Sequence, residues 1–224
     1  MCGRFSQSER PERLAAMFGA EADVDLPPGK YNMAPTDPIR IVVEQDGRRR
    51  LTEAEWGFRP FWRDRARREP GWINAKAETA AESRAFGPAL RQRRCVIPAD
   101  AFYEWDRRPR PPQPYAIGPV GNTPFAFAGI WTDGGRDEPP TAAILTIAAN
   151  RAIARLHQRM PVILDEVDAW LAADAPFEHV MALLLPAPDG AVRIWPVSTA
   201  VNSVRNDGPR LLEPLESIAL QPGP

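Results

Sequence analysis

Residues 95–105 read CVIPADAFYEW, a run of β-branched and aromatic residues that reads as buried, extended chain. Similar runs lie on both sides of it: IRIVVE (39–44), PYAI (114–117), FAFAGIW (125–131), AAILTIAA (142–149), MPVIL (160–164) and VRIWPV (192–197). Helical patterns are fewer. SERPERLAAMFG (8–19) has Ser8 as a candidate cap, Pro11 in its first turn and Gly19 at its end, and further patterns fall at roughly 79–94, 165–173 and 176–185. Many short strands with few helices between them do not form a βαβ series. They predict an α+β domain whose core is a curled, mostly antiparallel, barrel-like sheet flanked by helices. The expected organisation is one domain over 1–224, with a core at about 2–208 and a C-terminal tail at 209–224. RDRARREPG (63–71) and DRRPRPPQP (106–114) read as exposed, arginine-rich loops.

A chain of 224 residues is long enough to bury a full core in one domain. Its two cysteines, Cys2 and Cys95, supply no disulfide framework, which favours a reducing compartment, and Cys95 reads as a core residue. No apolar run approaches the ~18 residues of a membrane span, and the polar residues from Arg4 to Arg10 interrupt any signal-peptide core. The expectation is a cytoplasmic, monomeric protein. The net charge of −1 excludes a generally basic nucleic-acid coat, but the charge is unevenly spread. Residues 40–110 carry 16 Arg and one Lys against 11 acids, whereas residues 111–224 carry 7 Arg against 12 acids. That asymmetry indicates one basic face, or simply the chain's bias of 26 Arg to 2 Lys.

Cys2 stands directly behind Met1 in MCGRF. Removal of Met1, which small second residues generally allow, would leave a terminal cysteine with its amine and thiol on adjacent carbons. Their ordinary pKa values are about 7.7–8.0 and about 8.5, so both are partly nucleophilic near neutral pH. Such a pair condenses with an aldehyde to an imine and then closes a thiazolidine ring. The alternative is a small, inert, buried residue. Asn74 lies in the strand-like WINAKAET (72–79) and can either serve a site or tie down a loop. In FYEW (102–105), strand alternation places Phe102 and Glu104 on one face. A carboxylate buried there suits general acid–base work, or it pairs with an arginine. His157, in HQRMPVIL (157–164), follows a helical turn and precedes a strand, where site residues tend to lie. His179 takes no role. The cysteines and histidines match no zinc pattern, and no phosphate loop or GxSxG occurs, so neither a metal nor another cofactor is expected.

MCGRF (1–5), YNMAPT (31–36), EWGFRPFW (55–62), NAKAET (74–79), FYEW (102–105), HQRMPVIL (157–164) and VSTAVNS (197–203) together resemble one family. It is the SOS response-associated peptidase (SRAP) family, whose members bind abasic sites in single-stranded DNA and cross-link to them. The matches fall in order over about residues 2–208. The resemblance implies an enzyme that processes abasic sites, with single-stranded DNA as partner and a nucleoid association if the chain is bacterial. Cys2 would form the thiazolidine with the ring-opened sugar, Asn74 would orient the amine or the sugar, Glu104 would shuttle protons, and His157 would help open the sugar ring. Arg4, Arg84 and Arg159 would grip phosphates, and Trp62 would be a base-stacking platform. Lys76 stands where many relatives carry arginine; it keeps the charge but loses the bidentate fork.

Two alternatives differ in class. A thiol peptidase or self-processing protein would use Cys2 with His157 and Glu104, although only Met1 precedes Cys2 as a segment to remove. A non-catalytic reader of modified single-stranded DNA would bind through its arginines and survive the loss of Cys2.

Overall fold

Asp100 divides the stretch 95–105 between two strands that enter different sheets. The computed structural model describes residues 2–60, 62, 71–121, 123–135 and 138–215. Its strands in chain order are β1 (Phe5–Gln7), β2 (Glu21–Ala22), β3 (Lys30–Met33), β4 (Pro38–Gln45), β5 (Arg48–Trp56), β6 (Asn74–Lys76) and β7 (Arg94–Ala99). There follow β8 (Ala101–Asp106), β9 (Gln113–Pro119), β10 (Phe125–Thr132), β11 (Thr141–Ala148), β12 (Arg159–Pro161) and β13 (Val192–Pro196). The helices are short: α1 (Pro11–Phe18), α2 (Ala77–Ala80), α3 (Gly87–Gln92), α4 (Arg151–Ala154), α5 (Val167–Leu171) and α6 (Phe177–Ala182).

One sheet curls into a ring. β4 pairs with β5 and β7, β10 pairs with β7 and β11, and a short parallel contact of β11 with β5 closes the circle. On β11, the side away from β10 and β12 also carries β6, in parallel register with Asn74 beside Ile144. The second sheet runs β13–β9–β8–β1–β3 and is antiparallel throughout. The expected α+β class, with a curled and mostly antiparallel core, is the one observed. Period-two alternation explains how the second sheet is covered on both faces. Phe102 joins the main core against the ring, while Tyr103 on the opposite face packs with Ala116, Val197, Val201 and Leu211.

Three local expectations need adjusting. The helical pattern at 79–94 is two helices, because Pro88 opens a new first turn in α3 and the Ser83 carbonyl accepts the Gly87 N–H at 2.8 Å in the turn between them. Ser8 does not cap α1. Its backbone N–H is held by the Asp100 carboxylate at 2.5 Å, and Arg10 stands at the cap position with no side-chain cap bond. Gly19 does end α1, in the left-handed conformation at φ 60°. Beyond residue 208 the chain stays packed for several residues, with Leu211 buried and the Leu215 N–H bonded to the Pro196 carbonyl. The 106–114 stretch is a turn exposed at Arg107–Pro112, between β8 and β9. RDRARREPG lies outside the described residues except for Gly71.

Gly71 has a role of its own. A Cβ there would lie 1.9 Å from the Gly57 carbonyl oxygen, and Gly57 itself has φ 155°. This close approach sets up the paired Phe58 and Trp72 backbones, two residues before Asn74. Gly71→Ala is expected to lower stability by about 1–3 kcal/mol through backbone displacement, seen as an earlier urea midpoint.

Candidate active site at the N-terminal strand

β1 runs between β3 and β8, with Phe5 opposite both Met33 and Phe102. The Phe5 ring meets Trp56 edge-on with centroids 4.9 Å apart and reaches Phe127 at 6.4 Å, so it joins the second sheet to the ring. Burying a ring of that size is worth about 3–5 kcal/mol relative to alanine. The antiparallel register continues toward the N-terminus, since the Tyr103 N–H donates to the Arg4 carbonyl at 3.0 Å. Gly3 therefore falls beside Glu104, and Cys2 is delivered to the end of that strand pair. Cys2 is fully buried, and its thiol faces the Arg4 carbonyl at 3.8 Å.

Asn74 reaches Cys2 from β6. Its Nδ2 donates to the Cys2 carbonyl at 2.8 Å, while its Oδ1 is buried and makes no hydrogen bond among the described residues. Glu104 comes from β8 and is 5% exposed. Burial pushes its carboxyl above the ordinary range, against the opposing pull of His157 and Arg107. Burial, reinforced by the charge of Glu104, likewise holds the Cys2 thiol well above the usual thiol range. The thiol and the carboxyl thus share a site that disfavours charge on either.

His157 is half-buried in the turn between α4 and β12. α4 is capped by Asn150, whose Oδ1 accepts the Ile153 N–H at 3.0 Å. His157 Nδ1 lies 3.0 Å from the Arg159 backbone N and 3.3 Å from the Arg159 carbonyl oxygen, so the backbone of that residue orients the ring. The Arg159 guanidinium is clamped by both oxygens of Glu78, at 2.6 and 2.8 Å, and also donates to the Thr146 carbonyl. Hydrogen bonding to Arg159 keeps the Glu78 carboxyl below its usual range.

Arg4 reaches across the fold. Its guanidinium donates to Asn32 Oδ1 at 2.7 Å and to the carbonyls of Val201 and Asn202 at 3.0 and 3.3 Å. Asn32 in turn donates to the carbonyls of Val201, Ser203 and Asn206. The stretches MCGRF, YNMAPT and VSTAVNS are brought together in this way. Trp62 is 43% exposed, and the exposed Arg84 guanidinium lies 5.0 Å from its ring centroid. Lys76 is exposed at the end of β6, and Cys95 is buried on β7 opposite Gly129. Cys2, Asn74, Glu104 and His157 therefore converge, whereas Arg4 and Arg159 are committed to partners within the protein. Glu78, Thr146 and Asn32 were not singled out from the sequence. Glu78 and Asn32 lie inside NAKAET and YNMAPT, but nothing local to those stretches indicates what they would meet. Among the described residues no group of three His, Cys, Asp or Glu side chains could hold a metal ion.

A family model described as SOS response associated peptidase (SRAP) matches residues 1–204. The chain is 34% identical to the abasic site processing protein YoqW of Bacillus subtilis, covering 95% of this chain and 99% of that protein. It is 31% identical to the abasic site processing protein YedK of Escherichia coli, covering 96% and 100% respectively. A crystal structure of a protein from Bacteroides thetaiotaomicron superimposes with a TM-score of 0.83 at 24% identity, over 96% of this chain and all of that one, which shows the shared fold.

The raised Glu104 carboxyl gives a signed pH dependence. Its stabilising contribution is complete below the ordinary value of 4.5 and is lost as pH rises through the higher folded-state value. Glu104→Gln removes that titration. Its stability relative to the unchanged protein is expected to improve as pH rises above about 4.5, as followed by urea unfolding at a series of pH values.

Proposed function

The chain belongs to the SOS response associated peptidase family, and from that premise we propose that it recognises abasic sites in single-stranded DNA and joins them covalently through Cys2. The observation that carries this reading is the fully buried Cys2, held at its carbonyl by Asn74 in a site shared with the buried Glu104 and influenced by His157. The names of the bacterial relatives, both abasic site processing proteins, point to the same lesion.

In the proposed sequence, Met1 is removed and Cys2 carries a free amine. His157 and the protonated Glu104 help open the closed sugar to its aldehyde. The amine adds to that carbon, and the resulting carbinolamine loses water, with Glu104 supplying the proton to the departing hydroxyl. The imine carbon is then attacked by Cys2 Sγ. A carbon–sulfur bond forms as the thiol gives its proton to the Glu104 carboxylate left by that dehydration, the C=N electron pair returns to the iminium nitrogen, and a neutral thiazolidine remains with Glu104 protonated again. Asn74 Oδ1, buried and without a hydrogen bond among the described residues, accepts from the amine throughout. A thiol held above its ordinary range fits this order, because sulfur attacks only after an electrophilic imine exists. The same burial disfavours the resting thiolate that a thiol peptidase would require.

Phosphate contacts fall to the exposed Lys76 and Arg84, with Arg4 adding positive charge, and Trp62 offers a face for a neighbouring base. A missing base lowers the cost of drawing the sugar inward, which gives lesion selectivity without sequence readout. A monomer carries all of these groups.

The test is a denaturing gel of Met1-processed protein incubated with single-stranded DNA bearing one abasic site. A heat-stable shifted band is expected that requires both the lesion and Cys2, and that is lost in Cys2→Ala. Absence of the band, with binding kept in Cys2→Ala, would leave a non-covalent reader.

A further inference from the structure

A groove of about 460 Å³ has His157 in its lining, and its other walls are made by residues given no role above. One wall is the turn after β8, with Arg107 and Arg108, and the other is the turn between α4 and β12, with Arg155 and Gln158. Its charge is not self-compensated. Asp106 binds Arg108 through two contacts, at 2.8 and 2.6 Å, and so neutralises that one arginine. Arg107 and Arg155 are exposed and form no ion pair among the described residues. No Trp, Tyr or Phe lines the groove, so it has no stacking platform for a base. Two unneutralised guanidinium groups without an aromatic face suit the repeating anion of a phosphodiester backbone rather than bases.

Position ties the groove to the site. His157 lies at its margin, and Arg107 acts electrostatically on Glu104. β11 lies between β6, which carries Asn74 and Lys76, and β12, whose leading turn carries His157. The groove therefore extends the site on the side opposite Lys76.

We infer that this groove is a binding site for the phosphodiester backbone of the strand flanking the lesion, with Arg107 and Arg155 each meeting a phosphate. The inference rests on the reading of Cys2, Asn74, Glu104 and His157 as a site for an abasic strand. It adds a sequence-independent track that guides the strand past His157. Both arginines lie on exposed turns, so replacing them leaves the core untouched.

The experiment measures binding of a labelled, undamaged single-stranded oligonucleotide by fluorescence anisotropy over a range of salt. The proteins are the unchanged chain, Arg107→Glu with Arg155→Glu, and a control of equal charge change, Arg193→Glu with Arg210→Glu. The groove variant is expected to bind at least ten-fold more weakly near 0.1 M salt. Its slope of log affinity against log salt should fall by about 1.4, since each phosphate contact on a single strand contributes about 0.7. The control should change affinity less than three-fold. Equal affinity and slope in the groove variant and the control would overturn the inference, as would failure of the unchanged protein to bind the strand. An abasic oligonucleotide run on a denaturing gel separates the two readings. Groove-dependent binding without a covalent band keeps the groove and removes the cross-linking chemistry. A covalent band with no dependence on Arg107 and Arg155 at limiting DNA does the reverse.

Discussion

The Phe5 ring, set edge-on against Trp56 and within reach of Phe127, is the contact on which the placement of the site depends. β1 is three residues long, too short to hold its position by backbone pairing alone. Its aromatic anchor locks it between β3 and β8 and against the ring of strands. The residues before Phe5 then have little freedom. Arg4 is tied to the C-terminal segment, Gly3 falls beside Glu104, and Cys2 is enclosed. Asp100 reinforces the arrangement from the other end, because its carboxylate accepts from the Ser6 hydroxyl at 2.7 Å and from the Ser8 N–H.

The site combines groups in which burial disfavours charge with cationic side chains held at its edge. Cys2 and Glu104 lie inside, where desolvation opposes the thiolate and the carboxylate alike. His157 is half-buried, oriented by the backbone of the residue whose side chain Glu78 clamps. Proton transfer between neutral partners is cheap in such a place, whereas creating isolated charge is costly. That division suits a reaction whose steps each move a proton alongside a bond.

Much of the candidate site was legible because its residue types are rare in their surroundings. A cysteine behind the initiator, a carboxylate between two aromatics and one of two histidines at a strand entry are all visible in a linear reading. Their partners were not. Arg159 looks like a free cation in HQRMPVIL, and only the fold sets Glu78 against it, 81 positions away. Arg4 likewise reads as a phosphate-gripping cation, yet its guanidinium donates to Asn32 and to the Val201 carbonyl, 197 positions along the chain. The split at Asp100 was hidden for a related reason. An unbroken β-rich run carries no mark of which sheet each half joins, and a turn of one residue leaves no cluster of Gly or Pro to announce it.

The sequence by itself determined the strand-rich α+β class, the ends of elements marked by Gly19 and Pro11, and the alternation that sends Phe102 and Tyr103 to opposite faces, and it supplied the candidate residues of the site. These follow from interactions over a few residues: backbone sterics, periodicity and turn chemistry. Tertiary structure alone decided that β11 closes on β5, that Glu104 and Cys2 share one dry site, and that Arg4 and Arg159 have partners while Arg107 and Arg155 do not form ion pairs among the described residues. Those outcomes depend on burial and on pairs brought together across long loops, and both are properties of the packed chain rather than of any local window.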